Sequence, residues 1–206
     1  MDRKSHWETI HREKPADAVS WYRPHLDVSL RLIEEVAPDR SAAILDVGAG
    51  QSTLVDDLLE RGYERITVLD IAQAAIDGSR KRVGARGHVV RWQVGDVRTI
   101  ELQPAACNVW HDRAVFHFLT AAADRAAYVR QAGRALKPGG HLILGAFAVM
   151  GPGKCSGLDV VRYDAATLEK EFGSGFRLVK TVEEEHRTPS GVTQPFLYGC
   201  FRIESP

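Results

Sequence analysis

Two apolar rhythms alternate along the chain. After Pro24, the residues Leu26, Leu30, Ile33 and Val36 recur at helical spacing on one face, and Pro38 stops the run. The continuous apolar stretch Ala43 to Val47 has the length and composition of a buried strand. Leu54, Val55, Leu58 and Leu59 make a second helical stripe closed by Gly62, and Arg65 to Leu69 reads as the next strand. A short helix over Ala72 to Val83, a third strand over His88 to Gln93 and a fourth over Cys107 to His111 follow. Tyr128, Val129, Ala132, Ala135 and Leu136 form a helical stripe ending at Lys137-Pro138-Gly139-Gly140, and His141 to Phe147 is the fifth strand. Strand-helix alternation of this kind predicts an α/β fold in which a doubly wound, mostly parallel sheet is covered on both faces.

Beyond Tyr163 the rhythm changes. A helix over Ala165 to Phe172 precedes two strand-like runs, Phe176 to Glu184 and Gln194 to Ile203, joined through Thr188-Pro-Ser-Gly191. They predict a terminal antiparallel hairpin, which brings the sheet to seven strands with the last one reversed. The segment before Pro24 has no strand to join, and an N-terminal cap is expected there. At 206 residues the chain suits one domain: a cap and first helix over 1–40, a ligand-binding core over 42–147, and a loop, helix and hairpin over 148–206.

Composition narrows the choice of partners. Lys+Arg and Asp+Glu both number 27, so no net field favours nucleic acid. The polar start MDRKSHWETIHREKP lacks the apolar core of a signal peptide, and no stretch suits a membrane span, so a cytoplasmic location away from the membrane is expected. Cys107, Cys155 and Cys200 lack metal-ligand spacing, and no metal site is expected. The pattern specifies no oligomeric state.

The strand-end motifs carry the chemistry. "AAILDVGAGQSTL" runs from the first strand into Gly48-Ala49-Gly50, where backbone can approach a ligand closely, and Ser52 can cap the helix that follows. The turn lacks the third glycine of a dinucleotide fingerprint, which disfavours a pyrophosphate. Asp70 ends the second strand in "ITVLDIA", suited either to both hydroxyls of a ribose or to capping the next helix. Asp96, in "VGDV" after the third strand, suits an adenine amino group or a local turn. Ligands in open parallel sheets bind beyond such strand ends.

These residues resemble the class I S-adenosylmethionine (SAM) dependent methyltransferases: "ILDVGAGQS" is like the family's first motif, "VLD" its second and "GD" its third, and "LKPGGHLIL" is like the turn into its fifth strand. The resemblance covers roughly residues 42 to 147 and implies a Rossmann-like fold with SAM as methyl donor. It places Asp46, Gly48, Ala49 and Gly50 along the methionine and ribose side, Asp70 and Ile71 at the ribose, and Asp96 with Val97 at the adenine. Ser52 stands where the family has a third small residue. "HWETIHREKPADAVSWYRP" and "GPGKCSGLDVVRYD" resemble a narrower branch that includes citrate synthase lysine methyltransferase. By that likeness Trp21, Tyr22, Cys155, Arg162 and Tyr163 belong to a cap or acceptor wall, with Trp21 and Tyr22 either closing over the adenine or docking the N-terminal segment.

Methyl transfer from a sulfonium is an in-line displacement in which positioning supplies much of the acceleration. A base matters only where the acceptor arrives protonated. "NVWHDRAVFHFLT" after the fourth strand offers His111 as base paired with Asp112, together with Arg113 and His117. Each has a plainer reading: His117 packs with Phe116 and Phe118, His111 is structural, and Asp112 and Arg113 form a helix turn and its ion pair. Cys155 lies beside Lys154, which favours a thiolate, although a small packed cysteine is the preferred reading. His186, between Glu183–Glu185 and Arg187, is expected to be exposed. The implied function is methyl transfer to a small-molecule thiol or amine or to a protein lysine. A SAM or adenosine-binding module without turnover and a nicotinamide-dependent oxidoreductase are the alternatives.

Overall fold

A computed structural model describes residues 2–204. The first strand, β1 (Ala43–Val47), is buried at every position, as its unbroken apolar run requires. It pairs in parallel with β2 (Arg65–Asp70), which pairs in parallel with β3 (Val90–Val94). On its other side β1 meets β4 (Cys107–Arg113), which pairs in parallel with β5 (Leu136–Phe147). A small hairpin, β6 (Lys154–Cys155) and β7 (Leu158–Asp159), stands apart from this sheet. The sheet is completed by β8 (Phe176–Arg187) and β9 (Thr193–Ile203), so that seven strands run in the order β3-β2-β1-β4-β5-β9-β8. β9 is antiparallel to both neighbours, which is the reversed last strand expected from the hairpin pattern.

Among the described residues six α-helices accompany the strands. α1 (Arg3–Glu13) is capped by the Asp2 carboxylate, which accepts from the Ser5 N–H, and it ends where Lys14 turns extended before Pro15. α2 (Asp27–Val36), α3 (Leu54–Glu60) and α4 (Gln73–Val83) put Leu30, Ile33, Leu54, Leu58 and Ile76 into one core layer with Ile44, Val68 and Val109. α5 (Ala122–Ala135) and α6 (Ala165–Phe172) cover the opposite face, where Tyr128, Ala132, Leu168 and Phe172 pack with Leu45, Trp110 and Leu142. A capping box fixes the start of α6, with Asp164 and Thr167 satisfying each other's backbone N–H groups.

Three differences from the pattern reading have local causes. β4 continues two residues past His111, because Asp112 and Arg113 are held in register against Leu144 and Gly145. β5 begins at Leu136 with no intervening turn, and the bulge between Cys107 and Val109 absorbs the Pro138-Gly139-Gly140 stretch. The cap contains a full helix, α1, that no apolar stripe announces: none of its residues is fully buried. No helix among the described residues is long and apolar enough to cross a membrane.

Candidate active site

Strand order reverses between β1 and β4, and a crevice opens beyond their carboxyl ends. The cavity there is lined by Asp46, Gly48, Ala49, Gly50, Asp70, Ile71, Asp96 and Val97, and also by Trp21 and Tyr22 of the N-terminal segment. Every residue expected at the donor therefore borders one space.

The glycine turn has a reason inside the protein as well as in any ligand. Gly48 and Gly50 take φ of 59° and 56°, a left-handed backbone that disfavours side chains. A Cβ on Gly48 would lie 2.0 Å from Val115 Cγ2, and one on Gly50 3.1 Å from His11 Cε1. The turn thus admits two side chains, one from the segment after β4 and one from α1. Ser52 accepts from the Leu54 N–H at 3.1 Å and so holds the start of α3.

Asp70 is held by backbone on both sides. Its Oδ2 accepts from the Gly50 N–H and its Oδ1 from the Ala72 N–H, each at 2.8 Å, tying the glycine turn to the start of α4. Each oxygen keeps a second lone pair for a ligand hydroxyl. Burial pushes the Asp70 carboxyl above its ordinary range, opposed by His11 and by those two N–H groups. Burial likewise pushes His11 down, opposed by Asp70 and Glu8. At Asp96 burial acts upward, but the Arg98 side chain and backbone outweigh it and hold the carboxyl below its usual range. Arg98 also donates to Asp124 at 2.7 Å, and Asp124 pairs with Arg3 of α1 at 3.1 Å. An ion-pair chain thereby links the Asp96 end of the cavity to α1.

α1 is fastened at further points. Trp7 meets Phe118 and Trp21 edge-on, with ring centroids 5.0 and 5.8 Å apart. Glu8 accepts from the Ala74 N–H at the start of α4, and Gln51 donates to the His11 carbonyl. The spacing Trp7, His11, Lys14, one helical face, is the sequence signal for this roof; without apolar periodicity around it, the signal is faint.

At β4 the expected pairing of His111 with Asp112 does not form. Neighbouring residues on a strand point to opposite faces, and β4 keeps that alternation through both. His111 lies in register with Asp46 of β1; its Nδ1 donates to Asp46 Oδ1 at 2.7 Å, and its Nε2 hydrogen-bonds with the Ser29 hydroxyl of α2 at 2.9 Å. A carboxylate only accepts, which fixes the proton on Nδ1. Both ring nitrogens are engaged, whereas Asp46 Oδ2 is buried with no partner. Asp112 points to the α5 face and does not border the cavity: it accepts from the Val115 and Phe116 N–H groups and from the Tyr128 hydroxyl, which accepts in turn from Trp110. Burial pushes its carboxyl up to about 6.

Arg113 closes the far end of the cavity. Its Nε donates to the Tyr198 hydroxyl and its Nη1 to the Trp21 carbonyl, both at 2.9 Å, and its guanidinium lies 4.6 Å above the Phe196 ring. Cys155 borders the same end, but burial outweighs the nearby cations and pushes its thiol up to about 11, so it is a packed thiol. His117 packs against Phe118 and Phe147, and burial, with Arg113 adding, pushes it down to about 3.

Other expectations are corrected. Arg162 bonds to the Val149 and Gly151 carbonyls and Tyr163 packs under Phe116, so neither joins Trp21, Tyr22 and Cys155 on the cavity wall. His186 is buried, not exposed: on β8 the alternation turns Glu184 and His186 inward and Glu183 and Glu185 outward, and His186 Nε2 donates to the Ser20 carbonyl. Among the described residues no cluster of His, Cys, Asp and Glu is arranged to hold a metal.

Comparisons with known proteins agree with this architecture. Residues 44–140 match the family described as a methyltransferase domain. Over 108 residues, 52% of this chain, the sequence is 26% identical to the eEF1A lysine and N-terminal methyltransferase of Mus musculus, of which that match spans only 15%. A protein solved in work on the conversion of a disulfide bond into a thioacetal group during echinomycin biosynthesis has a similar fold, with TM-score 0.79 at 18% identity, covering 98% of this chain and 94% of that one. The 1,6-didemethyltoxoflavin-N1-methyltransferase of Burkholderia thailandensis, with bound 1,6-didemethyltoxoflavin and S-adenosylhomocysteine, aligns with TM-score 0.75 at 19% identity, covering 98% and 87%.

Proposed function

We propose that the chain is a class I SAM-dependent methyltransferase that transfers a methyl group from SAM to an acceptor, with the donor held along the carboxyl ends of β1, β2 and β3; the match of residues 44–140 to a methyltransferase domain supports this reading. The observation that carries the reading is the unpartnered Asp46 Oδ2, a buried acceptor beside the glycine turn. A buried oxygen left without a donor costs about 1–3 kcal/mol, and the ammonium of a methionine moiety would satisfy it. Gly48, Ala49 and Gly50 lend backbone alongside, Asp70 and Ile71 face the ribose, and Asp96 with Val97 the adenine. Trp21 and Tyr22 close the site, and the α1 roof excludes water.

When bound, SAM supplies an activated methyl group on a sulfonium. The chain's part is to orient and enclose. His111 acts through Asp46: its Nδ1–H holds Oδ1 at 2.7 Å and leaves Oδ2 without a protein partner, while its Nε2 is engaged with the Ser29 hydroxyl at 2.9 Å. Asp112 takes no part in transfer.

Two measurements test the reading. Methyl-labelled SAM incubated with cell lysate, divided into protein and small-molecule fractions, should label one fraction; binding of S-adenosylhomocysteine with no label in either would mark a binding module without turnover. Calorimetry should show S-adenosylhomocysteine binding and no NAD binding. A hydrogen bond to a charged group contributes ~1.5–3 kcal/mol, so Asp70→Ala should weaken S-adenosylhomocysteine roughly ten- to hundredfold. Unchanged affinity in a folded Asp70→Ala protein removes that carboxylate from the donor site.

A further inference from the structure

Charges of both signs line the cavity. The strand-end wall carries Asp46, Asp70 and Asp96, the last paired with Arg98, whereas Lys14, Arg23 and Arg113 border the cavity without an ion pair to any of these three carboxylates. Glu184 stands behind that lining, 3.7 Å from Arg113 Nη2 and 4.0 Å from Arg23 Nε, and Arg23 also pairs with Asp27 at 3.4 Å. Lys14 forms no ion pair among the described residues. The Arg113 side chain is 5% exposed, and its Nη2 is buried with no hydrogen-bond partner. Around these cations the wall is apolar, built of Val19, Trp21 and Phe118.

Resting on the donor reading above, we propose that the methyl acceptor is a small molecule with an anionic group, a carboxylate or a phosphate, on an apolar, planar body. Arg113 borders the cavity and supplies the donor for the anion through Nη2, which is ion-paired with Glu184 at 3.7 Å but has no hydrogen-bond partner, and the Phe196 ring beneath the guanidinium leaves its edge to carry the contact. Lys14 at the mouth adds attraction during entry. The aromatic wall takes the apolar body. A protein lysine fits poorly: its ammonium would approach Lys14, Arg23 and Arg113, and its flanking backbone would have to pass under α1, which Trp7 fastens to Trp21 and Phe118.

The methionine carboxylate of the donor has the same chemistry as the proposed anion, so the experiment separates the two sources. The protein saturated with S-adenosylhomocysteine is titrated by calorimetry with benzoate, phenyl phosphate and benzylamine as probes. At least one anion should bind and benzylamine should not. Arg113→Gln should weaken that anion at least tenfold while S-adenosylhomocysteine affinity stays within about threefold. Lys14→Ala, at an exposed position that leaves the fold intact, should weaken the anion severalfold, and added salt should shrink that difference. Benzylamine binding as well as the anions would overturn the proposal. So would an Arg113→Gln protein that loses S-adenosylhomocysteine and keeps the anion, since the guanidinium would then serve the donor. S-adenosylhomocysteine binding without anion binding sinks this proposal alone; failure of the unaltered protein to bind S-adenosylhomocysteine sinks the donor reading with it.

Discussion

His111 and Asp112 are consecutive on one strand, and both are fully buried, yet they belong to different parts of the molecule. On the His111 face, Asp46, His111 and Ser29 form a chain that ends at the cavity with an oxygen left open. On the Asp112 face, every contact is satisfied by the chain itself: two backbone N–H groups and the Tyr128 hydroxyl bond the carboxylate, and Trp110 bonds that tyrosine. Native interiors satisfy their buried polar groups, so the closed network reads as architecture and the open one as a place for a ligand. Burial by itself does not separate function from structure; an unfilled acceptor on a residue that also lines the cavity, as at Asp46, does.

The largest expected difference between the faces is in stability. Asp112→Ala leaves the Tyr128 hydroxyl and the Val115 and Phe116 N–H groups without their acceptor, at a cost of about 3–5 kcal/mol for so buried a network. Chemical denaturation should show that loss, and S-adenosylhomocysteine affinity of the fraction still folded should be unchanged. A loss below about 1 kcal/mol, or a donor-affinity change without one, would erase the contrast between the two faces.

A somewhat smaller effect is read from pH. The Asp112 carboxyl stands at about 6 in the folded protein against an ordinary value of 3.8. Between roughly pH 4 and 6 the native state keeps a proton that the unfolded chain has released, so this group's contribution to stability falls as pH rises through that window. The two values correspond to a total on the order of 3 kcal/mol, complete above about pH 6. His117, held down to about 3, works in the opposite sense, since its stabilising share grows as pH rises toward 6.5. The informative quantity is therefore the difference between the parent and Asp112→Asn, in which the His117 contribution cancels. Parent stability should fall relative to the variant from pH 4 to 6 and run parallel to it above; a constant difference across that range would mean that Asp112 is ionised throughout.

Legibility in the sequence follows the same division. The donor end is written in short stretches, because each strand end delivers its own residue: Asp46 and the glycines after β1, Asp70 and Ile71 at the end of β2, Asp96 and Val97 after β3. The seven strands of the sheet are legible for a similar reason, each apolar run being local to one element. What joins elements far apart in the chain is not written locally. Ser29 reaches His111 across 82 residues, and nothing around Ser29 on the buried face of α2 marks it. Glu184 and His186 hide within a run of charge, where only the period-two alternation of β8 turns them inward. That alternation, applied to β4, also separates His111 from Asp112. α1 is held by the single contacts of Arg3, Trp7, Glu8 and His11, with no apolar stripe, so periodicity has nothing to detect.

The smallest effect decides how the open face works. His111→Phe keeps an aromatic ring in the same space and removes both hydrogen bonds, leaving Asp46 Oδ1 unheld. If His111 only orients Asp46, S-adenosylhomocysteine affinity should fall about three- to tenfold, roughly the 1 kcal/mol of one intramolecular hydrogen bond. Turnover at saturating donor should change little, and His111→Gln, whose amide can still donate to Asp46, should recover most of the affinity. A base would behave otherwise. Removing a proton acceptor costs about 10²–10⁴ in turnover, leaves donor affinity nearly intact and takes an ionisation out of the pH–rate profile. Ser29→Ala supplies an internal control, because it frees Nε2 without touching the bond to Asp46: a positioning histidine tolerates the change, and a histidine whose free nitrogen is the working atom gains from it. A large turnover loss in His111→Phe with unchanged affinity would therefore return the proton-accepting role to this residue and make the Asp46–His111–Ser29 chain part of the chemistry.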